Sequence, residues 1–244
     1  MKEQTCDVVI IGSGIGGLCT GALLSDKGYR VIVVERLSAP GGRCSTRMKK
    51  GYRLDLGVQM LLRNPLEDIC RQVGVTLDLK YPKTLFSGIR VKGHDYLVKG
   101  DSSDELFNLI LDTEDDPHRI KAAIERAVTW QAPVDNISVE DWFRQHTHNT
   151  ETLARLQPFI AGTIGININE ASAAELFTFF RISNRGVESS EPFAGIPSDG
   201  AIRPMQDLAT AIIHRGGQVR LRTSARRIIV INGVVKGVIV EGPE

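Results

Sequence analysis

Six consecutive residues near the start of the chain, Gly12-Ser13-Gly14-Ile15-Gly16-Gly17, have the makings of a backbone surface for an anion, with no nucleophile or acid-base pair among them. Gly12, Gly14 and Gly17 fit a G-x-G-x-x-G spacing. The first permits a tight turn, the second lets amides approach a pyrophosphate, and the third lets a following helix pack close on a preceding strand. Glu35 stands 18 residues past Gly17, about where a carboxylate at the end of a second strand accepts hydrogen bonds from an adenosine ribose. A carboxylate there argues against a ribose 2′-phosphate. Arg36 beside it is counted with the binding residues. These residues predict a dinucleotide, and the spacing alone does not separate NAD from FAD.

The elements that must position them are legible on either side. Asp7 to Ile11 is a short β-branched run, too unbroken for an amphipathic helix, and reads as a buried strand in the middle of a sheet. Leu18 to Lys27 has helical spacing, with Gly28 closing the helix, and Tyr29 to Val34 is a second strand that ends at Glu35. Strand, glycine turn, helix, strand and acid in that order make a Rossmann-like α/β unit the expected fold.

After the second strand come Pro40-Gly41-Gly42-Arg43-Cys44 and Gly51-Tyr52-Arg53-Leu54-Asp55-Leu56-Gly57. With these two segments the chain resembles the FAD-dependent amine oxidase and phytoene desaturase family, which follows its ribose-binding acid with a G-G-R segment and a G-[FY]-x-[FL]-D-x-G element. The resemblance implies FAD as cofactor. It implies that Gly41, Gly42 and Arg43 run beside the pyrophosphate and flavin, that Gly57 and Val58 bring backbone near the isoalloxazine, and that Ala225 in Thr223-Ser224-Ala225 lies against the adenine. Chemically this is sensible, because glycines admit close contact and an arginine fork matches phosphate geometry. Cys44 reads as a small buried apolar residue.

From residue 81 the pattern changes. Leu85 to Val91 and His94 to Val98, separated by Lys92-Gly93, predict a hairpin. Helical patterns follow over Ser103 to Trp130, broken at Asp115-Asp116-Pro117, then from a Ser138-x-x-Asp141 cap, over Asn149 to Phe159, and over Ala171 to Ile182 with Asn169 or Ser172 as its cap. Phe177, Phe179 and Phe180 read as core packing, His146 and His148 as helix-end decoration, and the acids at 112 and 114–116 as a solvated turn. The domains expected are a discontinuous FAD-binding domain of residues 1–80 and 195–244, and a mostly helical cap or substrate domain of residues 81–194. In the resembled family such a region forms the substrate cavity.

The last segment predicts a helix from Met205 to Arg215, ended by Gly216-Gly217, and strands at 218–221, 226–231 and 234–240, the last two joined by Asn232-Gly233. Ser198-Asp199-Gly200-Ala201 departs from the double glycine that the family carries before this helix. The four arginines at 220, 222, 226 and 227 read as a solvated face.

Composition narrows the partners. Thirty basic against 29 acidic residues leave a net charge of +1, so no general field draws nucleic acid or an anionic membrane, although local contact with a membrane surface is compatible. No aliphatic run approaches the roughly 18 residues of a membrane span. Four cysteines without a C-x-x-C pair predict reduced thiols in the cytoplasm. No histidine, lysine or carboxylate is marked as a general base, and no metal ligands are grouped. The resembled enzymes are much longer, which implies a fragment, a split enzyme with a separate C-terminal half, or a short protein that binds a nucleotide without catalysis, and a half-architecture favours a C-terminal-half partner chain or a homo-oligomer. The expected activity is FAD-dependent oxidation or reduction of a small apolar substrate such as a carotenoid. The alternative is a non-catalytic nucleotide- or lipid-binding protein like the guanine-nucleotide dissociation inhibitors, which resemble the same fold.

Overall fold

The computed structural model describes residues 3–63, 65–81, 88–97, 108–113, 117–129, 136–188 and 194–243. They fall into two compact units, one made of residues 1–81 and 194–244, the other of residues 82–193.

The first unit is a mixed α/β domain built on a parallel sheet. Strand β1 (Val8–Ile11), helix α1 (Ile15–Asp26) and strand β2 (Val31–Val34) form a βαβ unit, and β10 (Gln218–Arg220) pairs with the other side of β2, also in parallel. Among the described residues the central strand is therefore β2, not β1. All four residues of β2 are buried, whereas Ile11 of β1 is 52% exposed. Both runs are β-branched; what separates them is a pairing with residues far along the chain, which no local pattern encodes.

Helix α7 (Ile202–His214) packs against α1. Leu18, Ala22, Val31, Val33, Met205, Leu208 and Ile212 share the resulting core, each large side chain gaining about 1.5–3 kcal/mol by burial. Around this centre lie α2 (Leu66–Gln72), the hairpin β3 (Thr46–Lys49) and β4 (Tyr52–Asp55), and β9 (Ala194–Pro197) flanked by β5 (Leu61–Leu62) and β6 (Leu79–Lys80). Strands β11 (Ser224–Ile231) and β12 (Val234–Glu241) form the expected hairpin, with Asn232 and Gly233 both at positive φ in the turn.

A clasp joins the two halves of this unit. Asp55 Oδ1 accepts from the Thr46 hydroxyl at 2.5 Å and from the Ala201 amide at 3.1 Å, and Thr46 Oγ1 accepts from the Ile202 amide at 3.2 Å. Side chains of the β3–β4 hairpin thus satisfy amides at the start of α7. Gly200 explains how Ser198-Asp199-Gly200-Ala201 serves here. Its φ is +85°, and a Cβ would lie 2.5 Å from Thr46 Oγ1, so glycine is retained at the one position the clasp requires. Asp199 pairs with Arg53 at the surface. Asp55→Ala leaves these donors without their acceptor, at a cost of about 1–3 kcal/mol. A melting temperature roughly 5 °C lower is the expected result by circular dichroism; an unchanged melt would show that the clasp contributes nothing.

The second unit is mainly helical, with the hairpin of β7 (Gly88–Val91) and β8 (His94–Leu97) turning at Lys92-Gly93. Residues 82–87 and 98–107, which carry the rest of the expected hairpin and the start of the next helical pattern, lie outside the described residues. Helix α3 (Pro117–Val128) starts on its proline, as expected. Ser138 caps α4 (Val139–Arg144) by accepting from the Asp141 amide, and Asn149 caps α5 (Thr150–Ile164). Helix α5 runs past Phe159 in spite of Pro158, because Phe159 and Ile160 are buried in the core and hold the next turn down. Helix α6 (Ala173–Glu188) starts just after Ser172. Phe177 is a core residue, set edge-to-face on Trp142 with ring centroids 4.7 Å apart.

Asp112 is not merely part of a solvated turn. It pairs with Arg155, which also pairs with Glu151, donates to the Leu109 carbonyl at 2.8 Å and sits 4.2 Å from the centre of the Tyr96 ring. His146 follows α4 with its pKa pushed down, first by burial and then by the charges of Arg126 and Arg119; His148 is exposed.

Candidate dinucleotide site

The glycine turn delivers the chain from β1 into α1. Gly17 faces the turn's own backbone, since a Cβ would sit 2.2 Å from the Gly12 carbonyl oxygen and 3.2 Å from Ile10 Cγ2. Gly14 and Gly16 are different, because a Cβ on either would meet nothing within 4 Å. The space in front of the turn is therefore open, as a diphosphate requires.

Helix α1 begins at Gly14 with no side-chain cap and no acid in its first turn. By contrast, α4, α5 and α7 have their first amides satisfied by Ser138, Asn149 and the Asp55–Thr46 clasp. The first turn of α1 thus offers unsatisfied donors and the positive end of a helix dipole to an anion.

Glu35 is buried and aimed at the turn. Its Oε2 accepts from the Ser13 amide at 2.9 Å and from the Ser13 hydroxyl at 3.0 Å, while Oε1 accepts from the Leu37 amide at 2.9 Å. Burial pushes the carboxyl pKa up, but the amides of Leu37 and Ser13, the Ser13 hydroxyl and the charge of Arg36 outweigh it. The net pKa lies below the ordinary carboxylate value. The backbone of Glu35 is held by the late segment, its amide donating to the Arg220 carbonyl at 2.8 Å and its carbonyl accepting from the Thr223 amide at 2.7 Å. Ala225 is half-buried two residues beyond Thr223, and Arg36 is exposed.

The G-G-R segment lies against the same turn. The Gly41 amide donates to the Ser13 carbonyl at 2.8 Å, Gly14 and Gly41 pair as a parallel bridge, and a Cβ on Gly42 would come within 3.6 Å of the Gly14 Cα. Arg43 is exposed. Its carbonyl accepts from the Val58 amide at 3.0 Å, and a Cβ on Gly57 would lie 2.4 Å from it. Residues 12–17, 41–43 and 57–58 are in this way joined by short backbone links, and Glu35 is tied to them through its carboxylate. Arg36 follows Glu35 in the chain and Ala225 follows Thr223 by two residues; among the described residues neither is hydrogen-bonded to the turn.

Cys44 is buried, and burial pushes its thiol pKa up; Cys19 and Cys70 are buried with raised pKa values too, Cys70 to about 11. Such thiols are protonated and unreactive. No cluster of metal-binding side chains occurs among the described residues, nor any helix long and apolar enough to cross a membrane. Sequence reasoning missed the roles of Leu37 and Asp55. Asp55 stood inside a motif, but its partners at 201 and 202 left no local signal.

A sequence profile of the flavin-containing amine oxidoreductases matches residues 15–242. The chain belongs to that family. For this family member the cofactor is FAD, and the open glycine turn, uncapped helix and inward-facing acid suit its ADP portion. A phytoene desaturase (neurosporene-forming) from Rhodobacter capsulatus is 55% identical over 49 residues, 20% of this chain and 9% of the relative. An oxidoreductase from Methanosarcina mazei shares the fold with a TM-score of 0.73 at 24% identity, over 96% of this chain and 55% of its own. A RAB GDI from Plasmodium falciparum matches at 12% identity with a TM-score of 0.56, over 98% of this chain and 63% of its own. The chain thus spans little more than half the length of the solved structure from Methanosarcina mazei.

Proposed function

We propose that this chain supplies the nucleotide-binding portion of an FAD-dependent oxidoreductase that desaturates, reduces or isomerises an apolar polyene, with a carotenoid as the leading candidate. The observation that carries the reading is the bond between Glu35 and the glycine turn, which sets a ribose acceptor beside an open row of phosphate donors. Bound there, FAD supplies hydride transfer, and the protein supplies binding and orientation. The turn and the first amides of α1 hold the diphosphate, Glu35 and Arg36 hold the adenosine, and Arg43 contributes a cation beside the linker. Gly57 and Val58 bring backbone toward the flavin end.

The carotenoid reading draws on the similarity to phytoene desaturase. The helical unit of residues 82–193 serves the substrate. Further polypeptide of the kind present in the longer relatives completes the pocket, as continuous chain, a separate chain or a second copy. The outer edge of β1, which pairs with no strand among the described residues, and the exposed Leu54 and Leu56 support such completion. Four free cysteines suit a reducing, cytoplasmic setting.

The test is titration of the purified chain with FAD, followed by visible absorption and quenching of flavin fluorescence. Saturable uptake with a flavin spectrum is expected, and Glu35→Ala should weaken it at least tenfold. A chain that stays colourless and binds neither FAD nor ADP would favour the non-catalytic reading to which the RAB GDI likeness points.

A further inference from the structure

Ser13 holds a variable position of the glycine turn, yet it is fully buried and its hydroxyl is spent on Glu35. An ionised carboxylate has about four lone-pair sites. Here two on Oε2 are filled from Ser13 and one on Oε1 from Leu37, which leaves one site, on Oε1. Alanine at position 13 would keep the amide contact to Oε2 but lose the hydroxyl contact, so the carboxylate would hang on two backbone amides and could swivel.

We infer that Ser13 is a positioning residue whose hydroxyl locks the Glu35 carboxylate to the glycine turn, so that Oε1 alone is offered to a ribose hydroxyl of an adenine dinucleotide. The inference rests on the nucleotide reading above and deepens it. A carboxylate that cannot swing aside also excludes a 2′-phosphate, so the lock sets specificity as well as affinity. Among the described residues the charge acting on Glu35 is that of Arg36, which is exposed and does not replace the hydroxyl.

The experiment uses the whole chain as wild type and as Ser13→Ala, with Ser13→Cys as a second variant that keeps a group at the hydroxyl's place but weakens the donor. Calorimetry with ADP and with 2′,5′-ADP across pH 5–8 reads the nucleotide, and carbon-13 NMR of the Glu35 carboxyl, assigned with Glu35→Gln, reads the acid in the ligand-free chain. Ser13→Ala is expected to bind ADP about fivefold more weakly and to lose part of its preference over 2′,5′-ADP. Its acid fall-off should begin at higher pH, because a donor that favours the ionised carboxylate is gone. The Glu35 carboxyl should titrate at higher pH in both variants, more so in Ser13→Ala. A folded Ser13→Ala or Ser13→Cys chain with unchanged Glu35 titration overturns the lock. So does an unchanged ADP affinity and pH profile. Wild type that binds no ADP at any pH overturns the nucleotide reading instead, and the ligand-free titration still decides whether Ser13 holds the acid.

Discussion

Gly17→Ala is expected to lower the melting temperature by about 10 °C and to abolish uptake of FAD, while Gly16→Ala leaves the fold as stable as before or slightly more so. At position 17 a methyl group would be driven to 2.2 Å from the Gly12 carbonyl oxygen, with Ile10 behind it, so the turn must open or α1 must shift. Overpacking of this kind costs about 3 kcal/mol or more, and in a domain of this size each kcal/mol moves the melt by a few degrees. At position 16 the added methyl meets no atom within 4 Å, and alanine in a helix gains roughly 0.4–1 kcal/mol by restricting the unfolded chain. Gly14→Ala separates stability from binding. Its methyl also meets open space, so the melt should hold, but it would stand among the phosphate donors and weaken FAD about a hundredfold. Differential scanning fluorimetry with and without ADP measures all three. Equal destabilisation by alanine at 14 and 17 would refute this account of the turn.

In the helical unit the largest effect falls on Arg155. Its side chain is 9% exposed and ties Asp112, Glu151, the Leu109 carbonyl and the Tyr96 ring into one group. Arg155→Ala removes the charge, the fork and the packing of the stem together, and about 3 kcal/mol of stability should go with them. Arg155→Met keeps the stem and should recover a good part, since Asp112 and Glu151 are exposed enough to be solvated when left alone. Arg155→Lys keeps the charge but loses the fork, and belongs between the two. Urea denaturation gives the order. If alanine proves as stable as wild type, the Arg155 group is decoration, and the packing of the β7–β8 hairpin near α5 must come from Ile89 and Val91 of β7 instead.

What could be read from the sequence was whatever a few neighbouring residues decide. Lys92-Gly93 and Asn232-Gly233 each mark a hairpin turn because two successive positions need positive φ. Ser138 marks a helix start because its hydroxyl serves an amide three residues on. The glycine turn and its acid are spaced by the geometry of a single βαβ unit. The features that escaped depend on partners brought together by folding. The central place of β2 depends on β10, the Asp55–Thr46 clasp on Ala201 and Ile202, and the Asp112 pair on Arg155. The extension of α5 past Phe159 was hidden for another reason, since burial of Phe159 and Ile160 overrode the local penalty of Pro158. In the site itself the sequence named Ser13 and Glu35 separately. Only their hydrogen bonds show that each holds the other in place.

The way Glu35 is seated has a consequence for the order of assembly. Its amide and carbonyl are bonded to Arg220 and Thr223, so the proposed ribose acceptor is not fixed until the ribosome has released that late stretch, with all of residues 82–193 made in between. Pairings of such long sequence separation close slowly. A nascent chain therefore passes through an interval in which the glycine turn has been made but Glu35 is not yet seated, and on the proposed reading nucleotide retention would begin only when the late segment has joined β2.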